Sequence, residues 1–285
     1  MTNAVVDSDK VAEFIRDVAA DKIIPRFQKL QAHEINTKSG PTDLVTIADI
    51  EAEIALTEIL LDYLPGSLVV GEEAVSKGAI GIDTLRTHDG PVWIIDPVDG
   101  TSNFAAGTPL FGCMVALVKG GQTVAGWIYD IPNGHMGIAE KGAGVTLDGN
   151  RIRFSGQYDG RALSDLDGFV ARKFLPKVIK PIIDEKLEAI RSFKTYACAA
   201  MDYLALLREE RAFSMYTRIK PWDHLPGSLM IAEAGGTTLK WDKTIYAPGD
   251  EWGGLINSVS PALWPILHEH FVVPVVDKLP APNRL

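Results

Sequence analysis

Hydrophobic and polar positions follow two different periods along this chain, and the change from one to the other organises it. From Ser8 to about Glu34, Val11, Phe14, Ile15 and Val18 fall at helical spacing, which gives a helix one apolar face. Pro25 is expected to kink or end that helix. After the breaker cluster Lys38-Ser39-Gly40-Pro41, a second helix is predicted with Ile47, Ile50, Ile54, Leu61 and Leu64 on roughly one stripe, stopped by Pro65-Gly66. The pattern then becomes strand-like. Ser67–Val70 and Val92–Ile95 are short apolar runs that lead straight into carboxylates. Phe111–Lys119 and Thr123–Ile131 flank Gly120-Gly121-Gln122 as a hairpin of long strands. Asn133-Gly134 and Asp148-Gly149-Asn150 mark further turns.

In the second half strands and helices alternate. Gly168–Arg172, Ser192–Tyr196 and Ala212–Thr217 read as strands, each followed by a helical stretch: 176–190, 197–209 and 223–234. Three such units in a row predict a mainly parallel layer. The expected fold is therefore layered α+β and α/β: N-terminal helices on an antiparallel sheet, then a mixed C-terminal sheet flanked by helices. Residues 1–155 and 156–285 are expected to form two tightly packed sub-domains.

Composition narrows the function classes. With 46% hydrophobic and 23% charged residues, the 285-residue chain is neither disordered nor fibrous. Its 37 acidic against 28 basic side chains give a formal charge of −9. That sign counts against nucleic acid as the main partner and against an anionic membrane surface. It also allows some carboxylates to be held together by cations. Cys113 and Cys198 are the only cysteines, too few for a disulfide framework or a zinc site. Pro109–Val118, the longest apolar stretch, falls well short of a membrane span. No signal-peptide pattern opens the sequence, so a reducing cytoplasm is the expected location.

The stretch richest in chemistry is Trp93-Ile94-Ile95-Asp96-Pro97-Val98-Asp99-Gly100-Thr101-Ser102-Asn103-Phe104. A buried strand delivers Asp96 to its end, and Asp99 follows across one tight turn. Like charges that close raise each other's pKa unless a cation neutralises them. Gly100-Thr101-Ser102 then offers backbone N–H groups and hydroxyls where a helix can start, a seat for phosphate. Hard oxygen ligands beside such a seat suit Mg²⁺-assisted phosphoester hydrolysis. Taken singly, each carboxylate also has an ordinary reading. Asp-Pro and Asp-Gly form turns, Glu72-Glu73 after Gly71 suits a solvated loop or cap, and Asp223, Asp43 or Thr46 could cap helices.

Four segments in order resemble the inositol monophosphatase family of Mg²⁺-dependent, lithium-sensitive phosphatases. They are Lys38–Thr46 with Asp49, Gly71-Glu72-Glu73, Trp93–Phe104, and Trp222-Asp223 running to Glu233-Ala234-Gly235-Gly236. The resemblance implies metal ligation by Glu72, Asp96, the Val98 carbonyl, Asp99 and Asp223, with two or three Mg²⁺ ions and Mn²⁺ as a substitute. It implies that Thr101, with Glu72 and Asp49, orients the attacking water, and that the amides of Gly100, Thr101 and Ser102 cradle phosphate. It also suggests a homodimer acting on a small-molecule phosphate ester.

The substrate side departs from the family pattern. Ala197-Cys198-Ala199-Ala200 stands where inositol-type members carry Gly-Ser/Thr-Ala-Ala. Tyr216 stands where they carry a glutamate that grips a ring hydroxyl, and Thr217-Arg218 follow it. Arg218 and Lys220 are candidates to hold a second anionic group. Bisphosphate nucleotidase, fructose-1,6-bisphosphatase-like and histidinol-phosphate phosphatase activities therefore stay open. So does a metal-binding regulatory protein that kept the fold without turnover. Cys198 is expected to be buried core, and His268 and His270 to lie at a surface or interface.

Overall fold

The computed structural model describes residues 6–38, 40 and 44–279; Asp43, a candidate cap, lies outside the described residues. Helix α1 (Ser8–Val18) starts at Asp7, whose carboxylate accepts from the Asp9 and Lys10 amides. A wider turn carries the chain to Ile23 before Pro25 enters a tighter one. The ribbon β1 (Ile35–Thr37) and β2 (Leu44–Thr46) leads into α2 (Ile47–Tyr63), which stops just before Pro65-Gly66 as expected. Next come β3 (Leu68–Gly71), α3 (Glu72–Ser76), α4 (Thr84–Thr87), β4 (Val92–Asp99) and α5 (Thr101–Ala105). The strands β5 (Gly112–Lys119), β6 (Gln122–Asp130), β7 (His135–Glu140), β8 (Gly144–Leu147) and β9 (Asn150–Ile152) complete the first sheet.

That sheet runs β3 to β9 in sequence order. It is antiparallel from β4 onward, and the parallel β3/β4 pair at its edge sets Gly71 level with Ile95. The second half contributes β10 (Asp167–Val170), α6 (Lys180–Lys186), β11 (Ser192–Lys194), α7 (Ala199–Leu207), β12 (Phe213–Tyr216) and α8 (Pro221–Glu233). It ends with β13 (Thr237–Lys240), β14 (Leu255–Ser258) and α9 (Leu263–Leu267). Strand order is β11-β10-β12-β14-β13. The expected strand–helix units supply the parallel trio β11-β10-β12. Strands β13 and β14, which the hydrophobic pattern did not announce, join antiparallel and make the sheet mixed.

Period-two burial sorts the layers. On β4, Trp93 and Ile95 enter a core shared with α1 and α2. Val92 and Ile94 enter a second core with α7, α8 and the near face of the other sheet. Phe213 and Met215 of β12 point the opposite way, into a third core with Ile183 and Leu187 and with Leu263 and Leu267 of α9. Helix, sheet, helix, sheet, helix is the resulting stack, a layered α/β fold. Among the described residues, no helix is long and apolar enough to cross a membrane.

Two expectations need correcting. The buried face of α2 is Ala48, Asp49, Ala52, Glu53, Leu56 and Leu60, whereas Ile54 is 54% and Leu61 38% exposed. The apolar count misleads because alanines and two carboxylates occupy the inward face, which lies against β4 and the loop below it. His268 is not at a surface: it is buried, with Nε2 2.8 Å from the Trp241 carbonyl oxygen. The partly buried His270 sits 2.8 Å from the Lys186 carbonyl.

Candidate active site

The carboxyl ends of the parallel strands from both sheets converge on one cleft of about 220 Å³. That is room for a small molecule. Its lining includes Glu72, Asp96, Val98, Asp99, Gly100, Thr101, Ser102, Ala197, Tyr216, Arg218 and Asp223. Every one of these was a candidate from sequence, and they come from segments up to 151 positions apart. Asp49 completes the set from behind: its Oδ1 lies 3.0 Å from Thr101 Oγ1, which is also 3.0 Å from the Val98 carbonyl oxygen.

Local sequence explains each placement. Asp49 sits at the third position of α2, and its Oδ2 accepts from the Thr46 amide at 2.9 Å and the Thr46 hydroxyl at 2.5 Å. Thr46 in turn accepts from the Ala48 amide, a capping box that fixes the carboxylate. Gly71 ends β3 because a Cβ there would lie 2.3 Å from the Glu53 carboxyl carbon. Glu53 holds the Glu73 and Ala74 amides at 2.7 and 2.8 Å and so starts α3 with Glu72 turned to the cleft. Gly100 adopts φ +87°, and a Cβ on it would meet the Leu110 carbonyl oxygen at 2.8 Å. Only glycine makes that turn cheaply.

Ligating oxygens of Glu72, Asp96 and Asp223 lie within 4.8 Å of one another. Asp99 stands in the same cleft, but its Oδ2 accepts from the Ala200 amide at 2.6 Å and lies 3.1 Å from Cys198 Sγ. Burial, reinforced by Glu72, pushes Asp96 and Asp223 well above the usual carboxylate range. Burial also raises Asp99 to about 6, against the opposing Ala200 and Cys198 hydrogen bonds, and Asp49 to about 6 against the Thr46 bonds. A cluster of acids so destabilised as anions is suited to a bound cation. All-oxygen, carboxylate-rich donors fit a hard ion such as Mg²⁺. Lys38 supplies one compensating charge, with Nζ 2.7 Å from Glu72 and 2.5 Å from Glu73. Burial pulls that ammonium down, but the two carboxylates more than offset it and the net shift is upward.

Other residues were misjudged or missed. Cys198 is buried in the second apolar core as expected, and its Sγ also faces Asp99. Tyr216 lines the cleft but directs its hydroxyl to Asp202 Oδ2 at 3.1 Å. Asp202, raised by burial to about 8, lines the same cleft. Lys220 is spent on Glu251. Glu53 was legible as a carboxylate four residues after Asp49, on the same helix face. Lys38 opens the Lys38–Thr46 segment, and nothing in that segment's sequence points to its pairing with Glu72 and Glu73. Asp202 had no distinguishing sequence signal beyond its place in the first turn of α7.

The layered α/β fold sets a carboxylate cluster at the ends of parallel strands, beside a Gly-Thr-Ser turn, the class of site in which acidic side chains and a helix start share one cleft. Residues 7–275 match the Inositol monophosphatase family, and the chain belongs to it. It is 28% identical over 242 residues to the inositol-1-monophosphatase of Bacillus subtilis, covering 83% of this chain and 86% of that one. It is 31% identical over 252 residues to Nus factor SuhB of Vibrio cholerae, covering 84% and 85%. The fold matches the IMPase of Thermotoga maritima with a TM-score of 0.79 at 24% identity, over 95% of this chain and 98% of that one. The charge argument against nucleic acid gains no support from relatives bearing the name Nus factor.

Proposed function

We propose that this chain hydrolyses small soluble phosphate monoesters with Mg²⁺ and a water nucleophile. The observation that carries this reading is the juxtaposition of Glu72, Asp96 and Asp223 with the Asp49–Thr101 pair in one cleft. Glu72, Asp96, the Val98 carbonyl, Asp99 and Asp223 are the residues to hold two or three ions. Bound Mg²⁺ supplies positive charge that polarises the ester and acidifies water. The chain does the rest. Thr101 Oγ1, pinned between Asp49 and the Val98 carbonyl, orients the water together with Glu72; the water gives up a proton as its oxygen bonds phosphorus, and the leaving alkoxide takes up a proton from solvent as the ester bond breaks. The amides of Gly100, Thr101 and Ser102 receive the phosphate oxygens. Sensitivity to Li⁺, a homodimer and a cytoplasmic location accompany the family reading.

A second reading, a regulatory or interaction role without turnover, is favoured by the relatives named Nus factor SuhB. Phosphate release from a panel of inositol, sugar, nucleotide and histidinol phosphates, with Mg²⁺ and with or without Li⁺, separates the two. Mg²⁺-dependent release that Li⁺ inhibits is expected. Release from none of these esters, by folded protein that binds Mg²⁺, would replace the first reading with the second.

A further inference from the structure

We propose that Arg218, held over the ring of Phe174, receives a second anionic group on the leaving-group side, so that the substrate is a small phosphate ester bearing another carboxylate or phosphate. This deepens the hydrolase reading and rests on it for the scissile phosphate alone.

Strands β10 and β12 are parallel neighbours, with Val170 level with Met215. Their following loops therefore leave the sheet at the same end, beside the cleft. Phe174 comes from the first loop and Arg218 from the second, and the guanidinium carbon stands 3.7 Å from the ring centroid. That cation–π contact restrains the guanidinium before any ligand arrives. A fixed planar fork matches a carboxylate or phosphate through paired charge-assisted hydrogen bonds.

Nearby cations are already committed. Arg172 lies against Asp184 at 2.7 Å, and Lys220 is paired with Glu251. Arg218 is half-buried and lines the cleft, yet it makes no ion pair or side-chain hydrogen bond among the described residues. Its neighbour Thr217, 3% exposed and also lining the cleft, has a hydroxyl with no hydrogen-bond partner among them. Polar groups withdrawn from water without partners are costly, and a ligand is the natural partner here. The residue standing where relatives grip a hydroxyl, Tyr216, is meanwhile engaged with Asp202.

Two matched pairs test this: glucose 1-phosphate against glucose 1,6-bisphosphate, and phenyl phosphate against 4-carboxyphenyl phosphate. Binding is read by calorimetry with Ca²⁺ filling the oxygen sites, and kcat and KM are read with Mg²⁺. The wild-type chain is expected to bind the doubly anionic member of at least one pair about ten- to a hundredfold more tightly, the range for a charge-assisted contact. The pair that shows the preference identifies phosphate or carboxylate as the second group. Arg218→Gln should bring the ratio close to one, chiefly through Kd and KM, and Phe174→Leu should reduce it. Arg218→Lys, which keeps charge and bulk, should retain part of it. No preference in the wild-type chain, or equal weakening of both members by Arg218→Gln, overturns the proposal. A binding preference without any turnover would instead sink the hydrolase reading and leave the anion seat standing.

Discussion

Cys198 Sγ lies 3.1 Å from Asp99 Oδ2, the same oxygen that accepts the Ala200 amide. The thiol is held in its protonated form by burial and by Asp99 itself, so it donates. A carboxylate of the first sheet is thereby tied to the first turn of α7 in the layer between the sheets. Cys198→Ala removes the donor and leaves a small void. The expected cost is about 1–2 kcal/mol in urea unfolding with metal chelated. Cys198→Ser, which restores a donor, should recover most of it. Equal losses for both variants would assign the effect to packing alone.

Stability without metal should fall as pH rises. Asp49 and Asp99 are raised to about 6, Glu73 to about 7 and Asp202 to about 8, each chiefly by burial. The folded chain therefore keeps protons that the unfolded chain releases near pH ~4. Its stability is greatest below that point and declines through pH 6 to 8 as these groups ionise in turn in the folded state, Asp202 last and only half ionised at about pH 8. Mg²⁺ should flatten the decline, because it binds the ionised folded state. Unfolding midpoints from pH 5 to 8, with EDTA and with Mg²⁺, measure both slopes. A midpoint that climbs with pH in EDTA would contradict the charge assignment.

Asp96→Asn keeps the shape of the side chain and removes one anion from the cluster. Ester hydrolysis should drop below detection while the metal-free protein gains stability at pH 8, because burial and Glu72 disfavour the Asp96 anion. Phosphate release and chemical denaturation on the same preparation read the two effects. Near-normal turnover by the folded variant would remove Asp96 from the proposed mechanism.

Gly71→Ala should act through Glu53. The new methyl would stand 2.3–2.6 Å from all three carboxyl atoms of Glu53. The side chain can swing away only by releasing the Glu73 and Ala74 amides. Loss of such charge-assisted bonds costs about 1.5–3 kcal/mol. Because α3 starts there, Mg²⁺ affinity should fall with stability. Calorimetric Mg²⁺ titration alongside thermal melts tests the coupling, and a stability loss with unchanged Mg²⁺ binding would break it.

Ala197→Gly should stabilise. Ala197 holds φ +53°, a left-handed conformation that costs a residue with a Cβ roughly 1–2 kcal/mol. The added freedom of glycine in the unfolded chain takes back about 0.4–1 kcal/mol. A net gain of about 0.5–1 kcal/mol is expected in the unfolding free energy, and a loss would show that the Ala197 methyl has a packing role.

Much of this was legible before any coordinates. Local signals gave the C-terminal end of α2, the long hairpin and the strand that carries Asp96, because turn residues and period-two burial act over a few positions. The site was legible through its motifs, whose members the fold gathers into one cleft. Partnerships were harder to read. Nothing in the order of residues says that Tyr216 turns to Asp202, or that Lys220 pairs with Glu251 while Arg218 lies on Phe174. Those outcomes depend on which loops leave neighbouring parallel strands. The face of α2 was misread for a related reason: carboxylates destined for a site sit where an amphipathic rule expects leucines.

The two sheets contribute unequally to the cleft. The floor is built mainly from the ends of β3 and β4, whose turns are held by Glu53, Gly71 and Gly100. The rim comes from loops after β10, β11 and β12, held by ties of another kind: Asp99 accepts the Ala200 amide, and Lys220 pairs with Glu251. Floor and rim therefore belong to different sheets and different stretches of chain. A substitution on the rim can reshape the mouth of the cleft while leaving every carboxylate of the floor where it stands.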